Sequence, residues 1–418
     1  MHVVIIGAGI VGVASAIELL RDGHRVTIVE PGDPGGEHAA SYGNGTLLNP
    51  SSVIPMSSPG LWKKVPGYLA DPLGPLAIRW SYLPKLLPWL RRFIQAGATE
   101  ARVSATAHAL APLLADSPGL HRRLAEEAGV VDLITRQGVL FVFPDRAAFE
   151  AEGLSWRLRR ETGTKWLELD EDEIRQREPA LHRRYKFAVL VEENGQCRDP
   201  GRYVAALFRH AEELGAVINR TSATGLRIEA GRLRAVLTEA GEIECDKAVL
   251  AAGARSKALA QAAGDYVPLE TERGYHAVIE NPGIDLRHPM MPSDGKMAFA
   301  MTPAGLRIAG QVELAGLEAA PNWKRAEVLL RFARTAYPGL PADVTPDQVK
   351  VWMGHRPSTP DGLPCIGPAS GCPDVVHAFG HGHVGLTAGP MTGKLVADVI
   401  GGRVPAIDLA PYAPRRFR

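Results

Sequence analysis

The sequence predicts a two-domain α/β fold: a nucleotide-binding unit on a parallel sheet, closed by segments from both chain ends, beside a domain built on an antiparallel sheet. Three observations predict it. A strand, a glycine turn and a helix open the chain over residues 2–22; a strand ending in small residues lies at 247–254; a second glycine-rich turn runs into a helix at 379–400. Between the last two, strand-like runs across 270–351 are interrupted by one helix near 324–336. At 418 residues the chain has room for two or three domains of roughly 150 residues each.

Composition narrows the function classes. Apolar residues at 45% and charged residues at 22% are ordinary for a globular core. Lys and Arg number 47 against 46 Asp and Glu, a net charge of +1, which excludes nucleic-acid binding through a global basic field. The four cysteines contain no CxxC pair and are too sparse for a disulfide scaffold or a structural zinc site. No leader-like segment precedes the first strand, and no run reaches the roughly 18 apolar residues of a spanning helix. The expectation is a cytoplasmic protein, at most peripheral at the inner face of the membrane.

His2-Val3-Val4-Ile5-Ile6 reads as a buried parallel strand, and Gly7-Ala8-Gly9-Ile10-Val11-Gly12 supplies a G-x-G-x-x-G turn. Residues 13–22 have helical spacing and stop before Gly23; Arg25-Val26-Thr27-Ile28-Val29 forms a second strand that ends on Glu30. This is a Rossmann-like unit. Gly7 makes the tight turn, Gly9 lets a pyrophosphate approach, and Gly12 lets helix pack on strand. The helix N-terminus offers N–H groups to phosphate, and Ile10 and Val11 of the turn are expected among the cofactor-binding residues. Glu30, 18 positions after Gly12, suits the ribose hydroxyls of an adenosine and repels a 2′-phosphate.

The motif leaves FAD or NAD open, and three later features favour FAD. The small-residue stretch 39–47, with Ser41, Asn44, Gly45, Thr46 and Leu47, has the N–H donors and low bulk to pass a large planar ring. The strand Lys247-Ala248-Val249-Leu250 runs into Ala251 and Gly253, which completes the nucleotide domain from mid-chain. The turn with Gly380, Gly382, His383, Val384, Gly385 and Leu386 opens a helix able to face the polar edge of a flavin. A metal reading of His381 and His383 lacks nearby carboxylates or cysteines in sequence.

Gly354-His355-Arg356-Pro357-Ser358-Thr359-Pro360-Asp361-Gly362-Leu363-Pro364-Cys365-Ile366-Gly367 resembles the G-x-R-P-x-x-P-D-G-x-P-x-I-G signature of the D-amino-acid oxidase superfamily of flavoproteins. That superfamily includes glycine and sarcosine oxidases and D-amino-acid dehydrogenases. Within it the chain looks like the glyphosate oxidoreductase branch, through segments that run from 51–56, 71–76 and 192–195 to 271–276, 319–326, 378–383 and 413–417. The resemblance implies noncovalent FAD, because neither Cys365 nor Cys372 sits in a segment like the family's flavin attachment site. It also implies that Ala223 stands where a valine commonly meets adenine through its backbone. The activity it implies is oxidation of the C–N bond of an amino acid or N-carboxymethyl amine to an imine, hydrolysed to an oxo acid. Two alternatives stay open: a D-amino-acid dehydrogenase serving a respiratory acceptor, and the flavin subunit of a multi-subunit dehydrogenase.

Such chemistry needs a substrate held so that its Cα–H meets the flavin, with the amine neutral. Arg356 is expected to grip the carboxylate, as the arginine of the family signature does, through a guanidinium fork. Tyr275 is expected to add a phenol donor. His276, His355, His381 and His383 are candidate proton acceptors, although loss of the ammonium proton to solvent would serve equally. Strand alternation turns Arg307 away from Leu306 and Ile308, with solvent favoured over the pocket.

The expected nucleotide domain comprises 1–60, 185–265 and 350–418, and the substrate domain 61–184 and 266–349. Residues 61–97 mix Lys63, Lys64, Arg79, Lys85, Arg91 and Arg92 with Trp62, Trp80 and Trp89. That composition suits a membrane interface or contact with a quinone-type acceptor, or a pair of helices covering the flavin domain, and the helix pair is favoured.

Overall fold

The computed structural model describes residues 1–71, 74–341 and 348–418. Pro72 and Leu73, within one segment that carries the resemblance, and the Lys64 side chain lie outside the described residues. The fold class is the expected one. A six-stranded sheet runs in the order Val217–Asn219, Arg25–Val29, His2–Ile6, Lys247–Leu250, Val375–Phe379, Cys365–Pro368. Only the last strand is antiparallel to its neighbour. The central strands are apolar on both faces, as a sheet covered on both sides requires.

Helix Ile10–Arg21 covers one face and packs on helix Gly385–Ile400. The close approach depends on Gly389 and Gly393, four residues apart on one helical face. A Cβ at Gly389 would stand 2.7 Å from Ile10 Cγ1, and one at Gly393 2.7 Å from the Ala14 carbonyl carbon. The first and last helices of the chain thus form one layer. The other face carries a three-stranded antiparallel meander, Ala223–Glu229, Arg232–Thr238 and Gly241–Glu244, whose Leu233 and Val236 join the core of Val4 and Ile6.

The second sheet has nine strands and is mainly antiparallel. Its centre pairs Val349–Ser358 with Glu270–Ile279, and that strand with Gly305–Leu314. Helix Lys324–Ala336 buries Leu329 and Ala333 behind it. Two segments expected in the nucleotide domain belong here instead. Phe187–Val191 pairs with Val139–Phe143, and Val349–Ser358 pairs along all ten residues with Glu270–Ile279. Both are apolar or alternating runs, and only their long-range partners decide which sheet they join.

Residues 61–97 form helices Leu61–Ala70 and Leu83–Ala96. Leu86 and Trp89 pack against Leu314, at the end of a substrate-sheet strand, so the pair covers that sheet and not the nucleotide sheet. No helix among the described residues is long and apolar enough to cross a membrane.

Candidate active site

One cavity of about 1960 Å³ runs between the two sheets. An ordinary ligand pocket holds roughly 300–1,000 Å³, so the space suits a dinucleotide together with a small substrate. Its walls combine the N-terminal motif, the 39–47 stretch, the mid-chain small residues, the C-terminal turn and the middle of the substrate sheet.

The nucleotide end follows from local geometry. Gly7 has φ +107°, and a Cβ there would lie 2.6 Å from the Ala251 carbonyl oxygen. A Cβ at Gly12 would stand 1.9 Å from the Gly7 oxygen, so this glycine serves helix packing and does not itself line the cavity. Gly9 differs: the nearest protein atom to its Cβ position is Ser41 Oγ at 3.6 Å, and its open side faces the cavity. Gly9 caps the helix without any side-chain acceptor, and Ile10 N–H alone is taken, by Ser41 Oγ at 3.2 Å. Glycine at Gly9 is therefore not demanded by protein packing, and the uncapped helix start leaves N–H groups of the kind that would hold a phosphate.

Glu30 is buried at the cavity wall and accepts from Ala8 N–H at 2.9 Å and Gly32 N–H at 3.1 Å, with His38 Nε2 at 3.2 Å. Val11, Ser41, Asn44, Gly45, Leu47, Ala223, Ala251, Gly253, Gly382, His383, Val384, Gly385 and Leu386 all line the cavity. Thr46 and Gly380 do not. The Thr46 side chain is fully buried, at φ +67°, and its carbonyl accepts from Cys197 N–H; Gly380, at φ +86°, only turns the chain. None of the four cysteines lines the cavity. The residues present fit FAD: Glu30 and Ala223 on one stretch of the wall would suit an adenosine, and Gly43, Asn44, Gly45 and residues 382–386 on another would suit a flat ring.

The substrate end is set by strand register. Arg356 stands directly across from Glu272, and Gly354 from Gly274, and all four line the cavity. Arg356 lies flat over Gly274, where a Cβ would come within 2.2 Å of Nη2. Its Nη1 donates to the Gln311 carbonyl at 2.9 Å, which fixes the plane of the fork. Burial pulls the guanidinium below its ordinary pKa, with Glu272 opposing the shift. Burial alone would raise the Glu272 carboxyl, but His383 and then Arg356 outweigh it and keep the group ionised. His383 Nε2 donates to Glu272 Oε2 at 2.7 Å.

Several expectations fail here. Tyr275 lies one residue out of phase: its side chain is on the far face of the sheet, away from the cavity. There its hydroxyl donates to Glu313 and accepts from Asn322 N–H at 2.9 Å, so it is no donor to substrate. His276 does not line the cavity either. It stacks on Trp352 and donates from Nδ1 to the Gly43 carbonyl at 3.1 Å, so it props the small-residue stretch. Arg307 meets neither solvent nor pocket; it is buried and donates to the carbonyls of Tyr42 and Asn44, bracing the same stretch from behind.

His355 and His381 do line the cavity. Burial, then Arg273, lowers His355 to about 4, and burial lowers His381 to about 3. Since Thr392 Oγ1 donates to the Ala388 carbonyl, it accepts from His381 Nε2 at 3.0 Å, which leaves Nδ1 unprotonated. His276 is lowered to about 3 by burial and then Arg307. Imidazoles this weakly basic stay neutral at neutral pH and make poor acceptors from an ammonium.

Sequence reasoning missed Glu272, Gly274 and Arg159. A glycine inside a strand signals close approach of another group, and Gly274 carried that signal. Arg159 lines the cavity from helix Gly153–Glu161, stacked on Trp156 at 4.6 Å and donating to the Ser51 carbonyl at 3.2 Å. Glu152, the anion that acts on it, is itself paired with Lys296. No local pattern in a polar helix announces such a role.

Fold and cavity define a flavin-dependent oxidoreductase, and the comparisons agree. Residues 2–399 match the family described as FAD dependent oxidoreductase, DAO, and the chain belongs to it. It is an FAD-binding enzyme that oxidises amino acids at a C–N bond. It is similar to a D-amino-acid oxidase of Bradyrhizobium diazoefficiens, 61% identical over 416 residues, 100% of this chain and 99% of the other. A D-amino acid dehydrogenase of Ralstonia nicotianae is 32% identical with full coverage of both chains. Among solved structures, iminodiacetate oxidase from Chelativorans sp. BNC1 shares the fold, with TM-score 0.72 and 21% identity over 99% of this chain and 98% of that one.

Proposed function

We propose that the chain oxidises a D-amino acid to its imine, which water hydrolyses to the oxo acid and ammonia. The observation that carries this reading is Arg356, laid over Gly274 in the cavity that also holds the cofactor-binding segments. The 61% identical relative supports the D configuration. Arg356 grips the carboxylate with two parallel donors and so fixes the tilt of Cα. Noncovalently bound FAD would supply the hydride acceptor for the Cα–H bond. His355 and His381 stay neutral and add no positive charge beside the amine, whose proton leaves to solvent before the lone pair forms the C=N bond.

A second reading is the cleavage of an N-carboxymethyl amine, glyphosate-type, with release of glyoxylate. Arg159 favours it, because a half-buried cation on the cavity wall with no carboxylate among the described residues in ion-pair range suits a second anionic group on the substrate. Anaerobic bleaching of the flavin separates the two. D-alanine and D-proline should bleach it on the first reading, iminodiacetate and glyphosate on the second. A yellow protein that none of them bleaches would refute both.

Peripheral membrane contact is the third part of the reading. Trp62, Trp80, Leu87 and Ile94 are exposed beside Lys63, Arg79, Lys85 and Arg91 on the helices that edge the cavity. Such a surface should bind phosphatidylglycerol vesicles and release them in high salt. Failure to co-sediment with anionic vesicles at low salt would remove this part alone.

A further inference from the structure

Glu272 is a carboxylate in the wall of a site that must already hold an acid. It is only 4% exposed, yet it lines the cavity. It lies directly across the strand pair from Arg356, so the two charged side chains leave the sheet on the same face. Cross-strand partners of opposite charge usually meet. These do not: their charged ends stay beyond the 4.0 Å of an ion pair, because Arg356 is drawn to the Gln311 and Gly310 carbonyls and Glu272 to His383. His383 uses one of roughly four lone-pair sites a carboxylate offers. A half-buried cation and a buried anion thus face one cavity side by side without forming an ion pair.

We propose that Glu272 holds the amine of the substrate while Arg356 holds its carboxylate, so that the two form a matched anchor for a zwitterion. This rests on the reading of the site given above and deepens it. The ammonium and carboxylate of an α-amino acid hang from one Cα, as the two side chains hang from adjacent strands. Two fixed anchors leave Cα only one rotation, which the side-chain pocket settles, and the Cα–H direction follows. An ionised Glu272 accepts a hydrogen bond from the ammonium and the iminium product, and a weaker one from the neutral amine, so it has a partner before and after the proton leaves. His383 is a positioning residue, which fixes the carboxylate from behind.

The test uses the flavin-loaded enzyme and two inert ligands. One is 2-aminoisobutyrate, a zwitterion with no Cα–H to lose; the other is isobutyrate, the same acid without its amine. Binding of each is read from the shift it causes in the flavin's visible spectrum. Glu272→Gln should weaken 2-aminoisobutyrate by about tenfold to a hundredfold, the scale of one charge-assisted hydrogen bond. Isobutyrate should bind as well as before or more tightly, because a nearby anion has gone. Equal weakening of both ligands would overturn the proposal, since it would mean that Glu272 merely braces Arg356. If Glu272→Gln loses its flavin, Glu272→Asp, which withdraws the carboxylate by one methylene, takes its place in the same comparison, with the same outcomes for and against. A wild-type enzyme that binds neither ligand would refute the site reading itself, an outcome distinct from equal weakening.

Discussion

Arg356 and Gly274 work as one unit, because the guanidinium occupies the space where any side chain at 274 would begin. Gly274→Ala places a Cβ 2.2 Å from Nη2 and must tilt the fork. We expect KM for carboxylate substrates to rise about tenfold or more, with flavin content unchanged, in steady-state kinetics run beside a flavin-to-protein ratio. An unchanged KM would take the carboxylate role away from Arg356. At this scale the sequence was half legible. Arg356 stood in a recognisable signature, whereas Glu272 stood three residues from Tyr275 in a strand whose phase was unknown. Side chains alternate along a strand, so residues an odd number apart face opposite ways, and choosing Tyr275 meant choosing the wrong face. Arg307 failed for a related reason: alternation says which residues share a face but not what covers it.

The opening strand, turn and helix were legible because every part is local. The helix starts at Ile10, earlier than the spacing alone predicts, since the uncapped turn over Gly9 belongs to the nucleotide site. Gly12→Ala would drive a Cβ to 1.9 Å from the Gly7 carbonyl oxygen, and backbone cannot move aside as a side chain can. We expect purified Gly12→Ala protein to be largely colourless and to melt several degrees lower, by absorbance and thermal unfolding. A yellow variant of unaltered melting temperature would contradict the packing role. The boundaries between domains were not legible. Val349–Ser358 follows the mid-chain nucleotide strand in sequence yet pairs with residues about 80 positions earlier, and no local pattern encodes such a partner.

Across the whole molecule, buried histidines set the response to acid. His121, His276, His355 and His381 are held at about 4, 3, 4 and 3 against an ordinary 6.5, with burial the leading cause for each. The unfolded chain therefore binds protons that the folded chain refuses. Stability from these groups is complete above pH 6.5 and drains away as pH falls toward 3. Thermal unfolding should show a melting temperature that drops steadily from pH 6.5 to pH 4, and a flat profile there would mean these side chains are hydrated. The paired ends of the fold have a consequence for how the protein is made. The cavity takes its wall from Gly7, Gly9, Ala251, Gly253 and Gly382 among others, and the helix that packs on the first helix begins only at Gly385. Residues 22–384 are thus made between the first helix and the helix that covers it. Until residues 385–400 exist the first helix has no cover on that face, so the layer cannot close in the order in which the chain is made.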